Sequence, residues 1–135
     1  NVLKRADGAK VVARGSAMFK GQPGAVLAVR EKLIRDHPKL VEAMVRAHER
    51  ATRMLNEQPE KAAPAVKRYV GGGRLPLAVV LAAIRSSKGN FLADPRKIVD
   101  GARRMRDFQA EIKTLKAKVR IGELFDTRFY EALGK

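Results

Sequence analysis

Apolar residues recur with a helical period along most of the chain from residue 31 onward. The longest such stretch runs from Pro38 to about Glu57, where small and apolar side chains fall on one stripe and charged residues lie mostly off it. That spacing predicts an amphipathic helix. The stripe consists of Val41, Met44, Val45, His48, Ala51, Thr52 and Leu55. Similar patterns predict further helices over residues 31–36, 59–70, 75–87, 94–118 and 127–133.

Proline, glycine and aspartate mark the ends of these helices. Pro38 and Pro59 suit the first helical position, where the missing N–H costs nothing, and Asp94 before Pro95 is typical of a helix start. Pro64 lies inside the next pattern and should kink that helix or delay its start. The run Gly71-Gly72-Gly73 should end it.

Two short runs before residue 30 have the character of strands instead. Residues 9–14 contain two valines between glycines, and residues 25–29 form a continuous apolar run, Ala-Val-Leu-Ala-Val, after Gly24. The second run fits a strand that is buried on both faces. Two strands alone are marginal in water. The pattern therefore predicts an α+β fold that is mostly helical, with about two short strands and five or six helices.

Composition limits the possible functions. The chain has 135 residues, enough for one compact domain, and 45% of them are apolar. It has no cysteine, which excludes a disulfide framework, a cysteine zinc site and a thiol nucleophile. The formal charge of +15 attracts anions, nucleic acid or acidic membranes. The longest apolar run is too short to span a bilayer, and no signal-peptide pattern is present.

No residue pattern supports catalysis, a metal or a cofactor. His37 lies beside a proline at a helix start, where a capping or surface role is expected, and His48 lies on the apolar stripe, where a core role is expected. The serines have no nucleophile-elbow context. Gly71-Gly72-Gly73-Arg74 lacks the lysine and hydroxyl residue of a phosphate-binding loop. We therefore expect no enzyme and no cofactor.

Two alternatives to a solute-binding role stay open. The basic pattern over residues 96–118 is compatible with a helical module that binds nucleic acid. Asp100, Asp107 and Glu111 interrupt it, however, and stacking aromatics are missing from its polar face, so nucleic acid is not expected as a partner. The other alternative is a helical interaction domain without a small ligand.

The order of segments resembles the nitrate/sulfonate/taurine-type substrate-binding proteins of ABC importers. The resemblance lies in an apolar run over residues 24–30, followed by EKLIRDHPKLV at residues 31–41. The alanine-containing stretch AHERATRMLNEQPEKAA follows at residues 47–63, and ELFDTRF at residues 123–129 resembles a closing segment. No single motif is diagnostic, but the ordered combination extends over more than a hundred residues.

The resemblance implies a C-terminal fragment of a two-lobed periplasmic-binding-protein (type II) α/β fold. Residues 1–22 would end the second lobe and contain the crossover, and residues 23–135 would be the helical portion that returns to the first lobe. It also implies a periplasmic or lipid-anchored protein that captures a small, anionic solute by hinge closure. The expected partners are that solute, a membrane permease, a missing N-terminal lobe and a second copy of the fragment.

Within this chain, the loop near the crossover is the predicted contributor to ligand binding. Ser16 and Gln22 carry polar side chains that can reach a solute, and Phe19 can line a cleft or pack. The alternative interpretation is an ordinary connecting loop.

Overall fold

The structure, a computed structural model, describes residues 8, 10, 12–13, 15–19, 21–87 and 89–134. Within these ranges all regular structure is helical, and none of the helices is both long and apolar enough to cross a membrane. The α-helices are α1 (Gly15–Met18), α2 (Glu31–Asp36), α3 (Pro38–Glu57), α4 (Pro59–Tyr69), α5 (Leu77–Ser86), α6 (Val99–Glu111) and α7 (Arg128–Glu131). Short 3-10 turns lie at Gly71–Gly73, Pro95–Ile98 and Ile121–Glu123.

The prediction of two short strands, and with it the α+β fold class, is wrong for the described residues. Residues 25–29 have no regular structure, and Val26 and Leu27 are 60% and 47% exposed. No backbone hydrogen bond joins this run to another described residue. An apolar run becomes a strand only where a neighbouring strand accepts its ladder bonds, and none is present here. Residues 9–14 lie partly outside the described residues, and Lys10, Val12 and Ala13 are not in a strand.

The predicted helix starts at proline are confirmed. Helix α3 begins at Pro38 and α4 begins at Pro59. Pro64 does not delay the start of α4, although it has no N–H to donate to the carbonyl four residues earlier. The Asp94 side chain accepts a hydrogen bond from the N–H of Arg96, as expected of a helix cap.

The predicted end of the longest C-terminal helix, at about residue 118, is wrong because α6 ends at Glu111. Lys113 has a φ of +56°, the left-handed conformation that usually selects glycine. Its N–H donates to the carbonyl of Ala110 at 3.1 Å, and the N–H of Thr114 donates to that of Gln109 at 3.0 Å. These two bonds form a Schellman motif. This helix end could not be predicted from the sequence, because a lysine occupies the position where a glycine is expected.

The chain divides into two compact units. The α4–α5 unit is built on Met44–Ala93, and the α6 unit is built on Val11–Ala43 together with Asp94–Lys135. In the α4–α5 unit, α4 packs on α5 around buried Ala63, Val80 and Ile84. In the α6 unit the buried side chains include Val41 and Ile121.

The α4–α5 unit also holds a loop in place through one amide. The Asn56 side-chain NH₂ donates to the Phe91 carbonyl at 3.0 Å, and its oxygen accepts from the Gly89 N–H at 3.2 Å. Asn56 and Phe91 are half-buried, so the bond between them satisfies polar groups that are partly removed from water, whereas the bond from Gly89 is exposed.

The buried side of α3 differs from the predicted stripe. His48 is exposed, so the prediction of a core histidine is wrong, and Glu49, which lies off the predicted stripe, is 9% exposed. Thr52 is buried, as its place on the stripe predicts. Val41 is buried as predicted. His37 is exposed at the C-terminal end of α2, consistent with its predicted capping or surface role.

Candidate ligand-binding segment

The predicted ligand-binding loop lies in the α6 unit, and the structure describes its residues 15–19 and 21–22. We call these described residues the candidate segment. It begins with the single turn α1, in which the Phe19 N–H donates to the Gly15 carbonyl at 2.8 Å. A second turn follows, closed by the Gln22 N–H donating to the Phe19 carbonyl at 3.2 Å, with Gly21 at a φ of +75°.

The backbone of the candidate segment lies directly on α6 at Gly101. A Cβ atom at Gly101 would lie 1.9 Å from the Gly21 carbonyl oxygen and 3.0 Å from the Gln22 nitrogen. Those distances are far below van der Waals contact, so only glycine permits this approach. Gly101 is accordingly buried in the first turn of α6, although glycine has a lower helix propensity than alanine.

An aromatic pair makes a further contact between the candidate segment and α6. The rings of Phe19 and Phe108 meet edge to face, with centroids 5.2 Å apart and an interplanar angle of 61°. This arrangement is one that aromatic rings prefer. The Arg104 guanidinium also lies beside Gly21, because a Cβ there would be 3.2 Å from its Nη2. The segment is therefore held to the helix at several points.

The structure places the predicted ligand residues on this segment. Ser16 lies in α1, and its side chain is outside the described residues. Phe19 is half-buried against Phe108, and Gln22 has an exposed side chain. Phe19 and Gln22 are joined by a backbone hydrogen bond. Contact of these residues with a solute stays a prediction.

Two Asp-x-Arg sequences in the α6 unit adopt the same arrangement. In each, the aspartate carboxylate accepts three hydrogen bonds from the arginine two residues later. One comes from the backbone N–H, and the other two come from Nε and Nη2 of the guanidinium group. The pairs are Asp94 with Arg96 and Asp126 with Arg128. These bonds hold the pKa of each aspartate below its usual value and raise the pKa of each arginine.

The Arg96 guanidinium also lies over the ring of Tyr130, with its central carbon 5.6 Å from the ring centroid. This contact ties the turn before α6 to α7. Of the two aspartates, Asp94 was predicted from the sequence to cap a helix. Their pairing with an arginine two residues later was visible as a repeated spacing, but the spacing alone does not show a two-point contact.

A shallow depression lies among the described residues of each unit. That of the α4–α5 unit has a volume of about 210 Å³ and apolar walls, including Val66, Val80 and Phe91. That of the α6 unit has a volume of about 590 Å³ and is lined by Arg106, Ala110 and residues 115–120. No cluster of potential metal ligands occurs in the part of the chain that the structure describes.

Comparison with known proteins identifies one matching family. The NMT1-like family matches residues 2–70, just over half of the 135-residue chain. No curated protein and no solved structure matches. The matched residues include the candidate segment, residues 24–63 of the resemblance, and helices α1 to α4. The family consists of extracytoplasmic, generally non-enzymatic binding proteins, which supports the nitrate/sulfonate/taurine-type resemblance. The chain belongs to the NMT1-like family.

Proposed function

We propose that this protein is the solute-binding component of an ABC importer, located in the periplasm or anchored outside the cytoplasmic membrane. It captures a small anionic solute by closing around it and delivers that solute to a membrane permease. The observation that carries the proposal is the family match over residues 2–70, which contains the whole candidate segment.

The construction of the candidate segment favours a role in holding a ligand. Gly101 and the Phe19–Phe108 pair fix its backbone on a helix, so little conformational freedom remains to be lost when a ligand binds. The Gln22 side chain is exposed and offers both donors and an acceptor. We assign Ser16, Phe19 and Gln22 to the ligand-contacting part of this chain.

The charge around the segment favours an anionic solute. The Arg104 guanidinium, which has a further interaction of its own, lies beside Gly21, the residue before the assigned Gln22. Hydrogen bonds between a charged group and a polar partner are stronger than neutral ones. A carboxylate, sulfonate or nitrate group is therefore the expected ligand chemistry.

The first proposed partner is a permease. The second is another copy of the chain, or a further protein, that covers exposed apolar residues. Val26 and Leu27 are 60% and 47% exposed and present apolar surface to the solvent. Light scattering of the purified chain tests self-association, and a monomeric mass at high concentration rules out the second copy.

Calorimetric titration of the intact chain with a set of small anions tests the solute site. We expect one anion to bind, and Gln22→Ala to weaken it about tenfold or more through loss of a hydrogen bond to a charged group. Gln58→Ala makes the same chemical change at an exposed position beside α4 and should have no effect. Equal loss in both variants, or no binding of any anion, contradicts the proposal.

A further inference from the structure

A basic segment follows α6 and has a different environment from the candidate segment. We call residues 112–121 the basic segment. Its sequence, IKTLKAKVRI, contains four cations and no acidic residue. The cations are Lys113, Lys116, Lys118 and Arg120. Elsewhere in the α6 unit, most basic residues alternate with acidic ones, as on α6 itself.

The lysines of the basic segment are not neutralised locally. Arg120 pairs with Glu123 at 2.5 Å. For Lys113, Lys116 and Lys118, no ion pair occurs with any residue that the structure describes. Three exposed ammonium groups therefore lie within six residues of sequence, and an external anionic surface would be attracted to them.

Apolar and basic side chains alternate along the segment. Leu115 and Val119 are half-buried, whereas Lys116, Lys118 and Arg120 are exposed. The same residues line the depression of about 590 Å³, together with Arg106. The Arg106 guanidinium is held by the Asp107 carboxylate at 2.6 Å and the Val119 carbonyl at 3.4 Å. The chain is thus fixed to α6 with its cations directed outward.

The side-chain chemistry indicates which anion this surface fits. Lysine is a hydrated point charge without the directional fork of arginine, so it suits a diffuse array of charges better than one oriented anion. No aromatic side chain lines the depression, which disfavours single-stranded nucleic acid. Ile112, the first residue of the segment, and Leu124, three residues beyond its end, are 49% and 60% exposed. Exposed apolar residues beside lysines are typical of elements that lie at a lipid interface.

We infer that the basic segment is a docking surface for anionic phospholipid headgroups. It lets the protein associate reversibly with the membrane surface, with lysines at the phosphates and Leu124 or Ile112 at the acyl boundary. This inference goes beyond the solute-binding proposal and uses none of the residues assigned to the solute.

Co-sedimentation of the intact chain with lipid vesicles tests the inference. Vesicles of phosphatidylcholine with about 30% phosphatidylglycerol are compared with phosphatidylcholine alone, at low and high salt. Each lysine near an anionic surface contributes about fivefold to binding, so Lys116→Gln with Lys118→Gln should weaken binding about 25-fold. The matched control, Lys39→Gln with Lys61→Gln, removes the same charge from exposed helix positions and should change binding less than twofold.

Two further measurements separate lipid binding from general attraction to anions. Leu124→Ser keeps the charge and should weaken vesicle binding, and Gln22→Ala should leave it unchanged. The inference is overturned if both lysine pairs lose binding equally, or if anionic lipid gives no advantage over phosphatidylcholine. It is also overturned if a short DNA duplex binds as tightly as the anionic vesicles and Leu124→Ser has no effect.

Discussion

Replacing Gly101 with alanine adds one methyl group at the point where the candidate segment lies on α6. The new Cβ would be 1.9 Å from the Gly21 carbonyl oxygen and 2.5 Å from the Gly21 carbonyl carbon. Both are backbone atoms, so the clash is not relieved by a rotamer change. The segment must move away from the helix, or the helix must bend.

The expected stability change is the difference between two opposing effects. Alanine favours a helix interior over glycine by about 1 kcal/mol. Overpacking costs about 2 kcal/mol in a typical core, and displacing the segment also removes the Phe19–Phe108 contact, worth about 1 kcal/mol. The destabilising effect of the clash is therefore expected to exceed the gain in helix propensity, and the free energy of unfolding should fall by about 2 kcal/mol.

Urea unfolding of Gly101→Ala, followed by circular dichroism, measures this effect. With a slope of about 2 kcal/mol per molar urea, the midpoint should fall by about 1 M. Gly122→Ala is the matched control, because a Cβ at Gly122 meets nothing within 4 Å. Its stability should stay within about 0.5 kcal/mol of the wild type. A Gly101→Ala protein as stable as the wild type, or more stable, refutes the close approach described here.

Three further predictions concern local structure and pH. Lys113→Gly should stabilise the protein by about 1 kcal/mol in urea unfolding, because glycine adopts the left-handed φ of +56° without the steric cost of a side chain; a destabilised variant contradicts the Schellman geometry. Asn56→Ala should cost about 1 kcal/mol in the same assay by removing both side-chain hydrogen bonds and leaving the part-buried Phe91 carbonyl without its partner, whereas an unchanged midpoint argues against these two contacts. Arg96 and Arg128 lower the pKa of Asp94 and Asp126 in the folded state. The two ion pairs therefore stabilise the folded protein above a pH of about 4, and this contribution is lost as the pH falls through the lowered pKa values of the two aspartates. Urea midpoints measured from neutral pH to about pH 2 should therefore fall less steeply for Asp94→Asn than for the wild type, and identical profiles contradict the pairing.

Helix starts could be predicted from the sequence because they depend on local chemistry. Pro38, Pro59 and the Asp94-Pro95 pair each act within one turn of the residue itself, and the structure begins its helices there. The end of α6 could not be predicted in the same way. Lys113 adopts a conformation that its side chain disfavours, and the two backbone hydrogen bonds of the Schellman motif stabilise it there.

The strand prediction failed for a different physical reason. The apolar run at residues 25–29 has the composition of a buried strand, but a strand exists only through pairing with another. The position of the candidate segment on α6 could not be predicted either, because in the sequence Gly101 is an isolated glycine inside a helical pattern. Such a glycine can indicate close backbone approach, but the partner at Gly21 is 80 residues away in sequence.

The exposed run at residues 25–29 has a consequence for how the protein behaves in concentrated solution. Its exposed valine and leucine side chains, Val26 and Leu27, favour association between molecules, whereas the net charge of +15 causes electrostatic repulsion between them. Salt shortens the range of that repulsion from about 10 Å at 0.1 M to about 3 Å at 1 M without weakening apolar attraction. Colloidal stability should therefore be greatest in dilute buffer and decrease as salt is added, the reverse of a protein kept apart by hydration alone.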